Sequence, residues 1–272
     1  MRIDGPDWPT TVWPVAQQKA PDQRKGRYVP ESMAHPGKMI PAIVRQAVER
    51  FTASGDLVVD PMCGIGTTLV EAAHLGRDGL GVEYEPRWAE IAARNVALAI
   101  RQGATGQAQV VSGDARRLEA LVPAAIAGTA ALVVTSPPYG PDCHGQPKPR
   151  AEQAVRKRNH CYSDDRANLA YVGTDGLVSG FKEILGHCER LLRPGGTVVI
   201  TARPWRQGGE LVDLPGAVLA LAPAVGLAPV GRHVALLAAV RQGELISRHS
   251  FFQLLKVREA RTRGIQASSH RP

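Results

Sequence analysis

Asp56-Leu57-Val58-Val59-Asp60-Pro61-Met62-Cys63-Gly64-Ile65-Gly66-Thr67-Thr68 is the stretch on which the fold turns. A short apolar run ending in a Gly-rich turn reads as a buried parallel strand, since a strand covered on both faces is apolar throughout rather than alternating. Glycines at 64 and 66 let the backbone approach a ligand, and the N-terminus of the helix that follows favours an anionic group such as a carboxylate. Glycine alone is weak evidence, because many strand-to-helix turns use it for tightness. The neighbouring elements give it weight.

Outward from this turn, strands and helices alternate. The spacing of Met39, Ile43, Val44, Ala47, Val48 and Phe51 is helical, and helices are predicted over 67–75, 86–101 and 177–192. Strands are predicted over 79–83, 109–112, 131–135 and 197–201, the last released by Pro194-Gly195-Gly196. Such alternation predicts a parallel sheet with helices on both faces. In the tail, 234–240 and 251–257 read as an antiparallel hairpin. Residues 1–30 lack apolar periodicity and read as an extended arm carrying Trp8 and Trp13.

Composition bounds the function. The 272 residues are 44% hydrophobic and 21% charged, enough for one large α/β domain or a domain with a small appendage, which excludes global disorder. Apolar stretches at 120–134 and 217–230 are interrupted by Pro123 and Pro223, short of the ~18 apolar residues that a membrane span needs. The N-terminus shows no apolar signal region, so the expected compartment is the cytoplasm, and the four cysteines suggest no disulfide framework. A net charge of +8 favours an anionic partner such as nucleic acid. Arginine heavily outnumbers lysine, a habit of GC-rich genomes, so placement is more telling than the total. Lys148, Arg150, Arg156, Lys157 and Arg158 cluster against one acid, Glu152, and are expected to hold phosphates.

Two further acids join the glycine turn. Glu83 closes the second strand and Asp114 follows the third, so both should line the crevice at the carboxyl ends of the strands. Glu83 is placed to take two ribose hydroxyls, and Asp114 to accept from an adenine amino group. Beside them, Thr135-Ser136-Pro137-Pro138-Tyr139 ends the fourth strand. A rigid Pro-Pro turn can present the Ser136 hydroxyl and the Pro137 carbonyl as two acceptors for an exocyclic amine, with Tyr139 available for stacking.

Together these motifs resemble those of S-adenosylmethionine-dependent amino-methyltransferases of nucleic acids. DPMCGIGTT, Glu83, Asp114 and TSPPY carry the resemblance, with His35-Pro36-Gly37-Lys38-Met39 upstream and Leu192-Arg193-Pro194-Gly195-Gly196 before the fifth strand. It covers about residues 30 to 258. It implies a class I methyltransferase fold: a seven-stranded, mostly parallel sheet with an antiparallel terminal hairpin, in a domain over 31–272. It implies a cofactor site for S-adenosylmethionine made by His35, Lys38, Asp60, Met62, Gly64, Gly66, Thr67, Glu83 and Asp114. It places catalysis at Ser136, Pro137, Pro138 and Tyr139. The Ser form of the motif is typical of the branch that methylates N4 of cytosine in DNA, so DNA is the expected partner and a nucleoid-associated cytoplasmic location follows.

Two departures qualify the resemblance. No long target-recognition domain occurs where these enzymes usually carry one, which leaves the arm and an insert at about 140–172 for substrate reading and room for a separate specificity or nuclease partner. Met62 stands where the family often has Phe, a small change for an apolar contact. The alternatives are an RNA methyltransferase acting on guanine N2 or cytosine N4, a protein glutamine methyltransferase, and a binding module with a degenerate site. Cys143, His144, His160 and Cys161 lack the usual zinc-ligand spacing, so no metal is expected. Cys63 is expected to be an inert buried thiol. Without a Pro-Cys pair, C5-cytosine chemistry has no evident nucleophile.

Overall fold

The computed structural model describes residues 10–139, 146–148, 156–158, 162, 164–207, 210–248, 261, 262 and 264. The chain forms two compact units, one of Arg24–Pro229 and one of Met1–Gln23 with Val230–Pro272.

The larger unit is built on five strands: β1 (Leu57–Asp60), β2 (Asp78–Glu83), β3 (Ala108–Ser112), β4 (Ala130–Thr135) and β5 (Leu192–Ile200). Its helices of eight or more residues are α1 (Pro41–Phe51), α2 (Thr67–His74), α3 (Pro86–Arg101), α4 (Gly173–Leu191) and α5 (Leu214–Leu221). All ladders among these five strands are parallel and the spatial order is β3-β2-β1-β4-β5. The first three strands therefore step outward in one direction, and the chain then returns to lay β4 on the other side of β1. This reversal is a topological switch point, where open α/β sheets open a crevice at the carboxyl ends of the strands.

Burial explains the apolar runs. All six residues of β4 are buried, as are Val58, Val59 and Asp60 of β1. Val59, Leu80, Val82 and Val133 pack with Leu118, Ile184, Cys188 and Leu191 into one cluster. In α3, Trp88, Ile91, Ala92, Asn95, Val96 and Ala99 are buried at three- and four-residue spacing, which sets one face against the sheet. The buried Asn95 is satisfied: its amide nitrogen donates to the Ile65 carbonyl and its oxygen accepts from the Val29 amide, both at 2.8 Å. Glu71 of α2 is fully buried and takes two hydrogen bonds from Arg27, one from Arg45 and one from the Tyr28 hydroxyl. That network ties α1 and the segment before it to α2.

Between β4 and α4, Gln146–Lys148 pairs antiparallel with Arg156–Arg158 in a short ribbon. Beyond β5, Trp205–Gln207 pairs with Glu210–Val212.

In the smaller unit, Thr10–Trp13 pairs in parallel with Arg232–Ala235, and Trp13 stacks on His233 at 4.4 Å. Ala238–Arg241 and Glu244–Ser247 form a hairpin whose turn residues, Gln242 and Gly243, both have positive φ.

The described residues bear on three of the sequence expectations. Among them the central sheet has five strands, which does not confirm the expected seven, and the segment after residue 230 pairs with the N-terminal strand and with itself. The tail hairpin is formed by 238–241 and 244–247, and the expected partner at 251–257 lies outside the described residues. At the N-terminal end, Thr10–Trp13 is an extended strand that gains a partner for its N–H and C=O groups in Arg232–Ala235.

Candidate active site

The glycine turn stands at the carboxyl end of β1. Gly64 and Gly66 have φ of +53° and +76°, a conformation that side chains rarely adopt. A Cβ at Gly64 would lie 3.1 Å from His35 Nε2, and one at Gly66 3.1 Å from Ala92 Cβ, so backbone and neighbours are already in contact. Asp60 braces this turn from within: Oδ1 accepts from the Met62 amide (3.1 Å) and Oδ2 from the Thr68 hydroxyl (2.6 Å). Burial raises its pKa to about 6 against these hydrogen bonds. Thr67 is buried at the first turn of α2, and Met62 is half-buried between two apolar clusters.

Glu83 faces the turn from the end of β2. Its two oxygens accept from the Gly64 amide (2.8 Å) and the Glu85 amide (3.0 Å), and burial pushes its pKa up to about 7. Each carboxylate oxygen keeps a second acceptor direction, which is what a vicinal diol requires. Asp114 follows β3 and caps a short 3-10 turn, accepting from the Arg116 amide and from its guanidinium at 2.7 to 3.0 Å. Burial opposes its charge, but the Arg116 side chain and amide hold the carboxyl below the usual carboxylate value. Arg116 is a partner that the sequence reading missed.

The upstream segment packs on the same turn. His35 is buried, with its ring edge-on to Trp88 (4.7 Å) and Tyr162 (5.3 Å). Lys38 Nζ donates to the carbonyls of His35 and Met33, and burial lowers its pKa to about 8. Tyr162 was not foreseen. Its hydroxyl packs directly on Gly37, and its carbonyl accepts from Trp88 Nε1 at 2.9 Å. Residues just beyond it hold the strand-end loops: Asp165 accepts from the Tyr84 hydroxyl (2.5 Å) and Asn168 donates to Glu85 (2.8 Å). No local pattern marks Tyr162, since only the folded chain brings it to Gly37.

The TSPPY turn emerges from β4, immediately beside β1, with Val59 opposite Val133 in the ladder. Thr135 and Pro137 are buried, Ser136, Pro138 and Tyr139 half-buried. The Thr135 carbonyl accepts from the Thr201 amide of the next strand end (2.9 Å). Tyr139 meets the edge of buried Trp205 at 6.1 Å, and the exposed Arg203 guanidinium lies over its ring at 4.8 Å. An exposed cation–π contact of this kind is worth about 0.5–1 kcal/mol. Arg203 could have been found with the rule that found Asp114, since it too follows the carboxyl end of a strand.

Of the basic run, Lys148, Arg156, Lys157 and Arg158 fall on the ribbon, with Lys148 in register with Arg156; Arg150 lies outside the described residues. Cys143, His144, His160 and Cys161 lie outside them too, and among the described residues no group of three His, Cys, Asp or Glu side chains could hold a metal. Burial drives the Cys63 thiol well above its ordinary pKa, which keeps it un-ionised.

Strand order, glycine turn and acids at successive strand ends define a class I methyltransferase fold, and S-adenosylmethionine, the cofactor that such a fold takes, fits the diol acceptor at Glu83 beside the glycine turn. Residues 3–94 match the family model described as DNA methylase, N6_N4_Mtase, the family that the motifs resemble. The chain is 30% identical over 74 residues to the type II methyltransferase M.MjaII of Methanocaldococcus jannaschii, covering 27% of this chain and 14% of that protein. It is 34% identical over 109 residues to a tRNA (guanine(10)-N2)-dimethyltransferase of Methanothermobacter thermautotrophicus, covering 39% and 29%. With the type II methyltransferase M.ScaI of Streptomyces caespitosus it shares 29% over 84 residues, covering 31% and 27%. The chain thus spans less than a third of the length of each of these relatives. Among the described residues no helix is long and apolar enough to cross a membrane.

Proposed function

We propose that this protein methylates an exocyclic amine of a nucleic-acid base, and that the base is cytosine, at N4, in DNA. The observation that carries the reading is the adjacency of β1 and β4 at the switch point, which sets the glycine turn beside TSPPY. Neighbouring strands are about 4.8 Å apart, so a methyl donor held by one turn is within reach of an amine held by the other. Bound at Gly64, Gly66 and Glu83, S-adenosylmethionine supplies an electrophilic methyl group.

The chain's own groups do the rest. A cytosine amine is delocalised into its ring and must pyramidalise to become nucleophilic. Acceptors at the Ser136 hydroxyl and the Pro137 carbonyl favour that change and the positive charge that develops on nitrogen. Ser136 is a poor base, so the amine proton passes to water after transfer. Tyr139 gives the extruded base a stacking surface. The ribbon around Lys148 and Arg156 holds the flanking phosphates, and stringent sequence reading falls to a separate specificity partner. A cytoplasmic, nucleoid-associated site of action accords with this substrate.

The longer stretch shared with a tRNA guanine-N2 enzyme supports a second reading, an RNA base amino-methyltransferase. Labelled methyl transfer to DNA and to RNA, followed by mass spectrometry of the digested nucleosides, separates the two. N4-methylcytosine in DNA is expected; N6-methyladenine overturns the base assignment, and labelled RNA with unlabelled DNA favours the second reading. Tyr139→Ala should depress activity through lost stacking, by about 1–3 kcal/mol.

A further inference from the structure

We infer that Arg203 is a substrate-contact residue that grips the phosphate of the extruded nucleotide. The inference rests on the proposed function and adds to it a residue outside the TSPPY motif. Arg203 follows the carboxyl end of β5, next to β4, and the two strand ends are joined by the bond from the Thr201 amide to the Thr135 carbonyl. Its guanidinium lies over the Tyr139 ring at 4.8 Å and is exposed, while Trp205 two residues on is buried and anchors the loop. Among the described residues it makes no ion pair with a carboxylate. A guanidinium offers five donors and no acceptor in a planar fork that matches a phosphate.

Geometry links this fork to the nucleotide. A base that stacks on the Tyr139 face covered by Arg203 displaces the guanidinium, because base–aromatic stacking is the stronger contact. A base on the opposite face is held across the same ring from it. In both arrangements the guanidinium is set beside the ring that carries the base, where its fork is free to meet the attached phosphate. Arg203 differs here from the ribbon residues, which serve the flanking backbone.

The test compares wild type with Arg203→Ala and Arg203→Lys on one DNA duplex over a range of salt. Arg203→Ala should raise KM for DNA on the order of tenfold and reduce the salt slope by about 0.9, the share of one phosphate contact. Arg203→Lys keeps the positive charge and should retain the slope. Calorimetric affinity for S-adenosylmethionine should be the same in all three, which a folding defect would not allow. An active wild type whose KM and slope are unaltered in Arg203→Ala overturns the assignment. Absence of transfer from the wild type to any nucleic acid overturns the proposed function instead.

Discussion

Glu83 is the residue on which the proposed cofactor site should depend most directly. Its carboxyl accepts from two backbone amides, and burial still lifts its pKa from 4.5 to about 7. A carboxyl whose folded pKa is raised binds its proton more tightly in the folded state. Its contribution to stability is therefore fully present below the unfolded value and is lost as pH rises through about 7. Asp60, raised from 3.8 to about 6, acts in the same direction. Ribose hydroxyls, by contrast, donate to the charged form. Thermal unfolding without ligand should show stability falling from about pH 5 to about pH 8, while calorimetry shows S-adenosylmethionine binding tightening over the same window. Glu83→Gln should flatten most of the affinity trend. Glu83→Ala should weaken binding by on the order of 1.5–3 kcal/mol, and an unchanged dissociation constant in a folded variant would remove this residue from the site.

Among elements, the ribbon of 146–148 and 156–158 is the one proposed to hold phosphates. Register sets Lys148 opposite Arg156 and Pro147 opposite Lys157. Neutralising Arg156, Lys157 and Arg158 together should weaken nucleic-acid binding and reduce its salt slope by up to about 2.7 units. Cofactor affinity should not change. A slope that stays at its wild-type value would mean that the run is a solvated surface. After the ribbon, Tyr162 meets His35 and Gly37, and Asp165 and Asn168 fasten the loop after β2.

Across the larger unit as a whole, cohesion depends on polar contacts as well as on the apolar clusters. Glu71 is fully buried, while the side chains of its partners Arg27 and Arg45 are 28% and 32% exposed. Without Glu71 the two arginines can turn to water, but the buried Tyr28 hydroxyl would lose its acceptor. The cost of Glu71→Ala is then set mainly by that hydroxyl, about 1–3 kcal/mol in denaturant unfolding. Glu71→Gln, which keeps an acceptor, should recover part of it. A loss as large with Gln as with Ala would point to the ion pairs instead.

Much of this protein was legible without its coordinates, and the reason is local. The glycine turn, Glu83, Asp114 and TSPPY each follow a strand, and a strand's carboxyl end is set by its own apolar run and the turn that stops it. Parallel pairing then collects those ends at one edge of the sheet, so residues far apart in sequence could be assigned to one crevice. The order of the strands, and with it the meeting of β1 and β4, depends on which apolar faces pack together. Tertiary packing also decided what each polar group does. Asp60 is turned inward to brace the glycine turn and Arg203 covers Tyr139, because their hydrogen-bond and ring partners lie on another element, whereas Asp114 is engaged by Arg116 only two residues on. Strand pairing between the ends of the chain was closed to sequence reading as well: Arg232–Ala235 pairs with Thr10–Trp13, a partner that no spacing in the sequence announces.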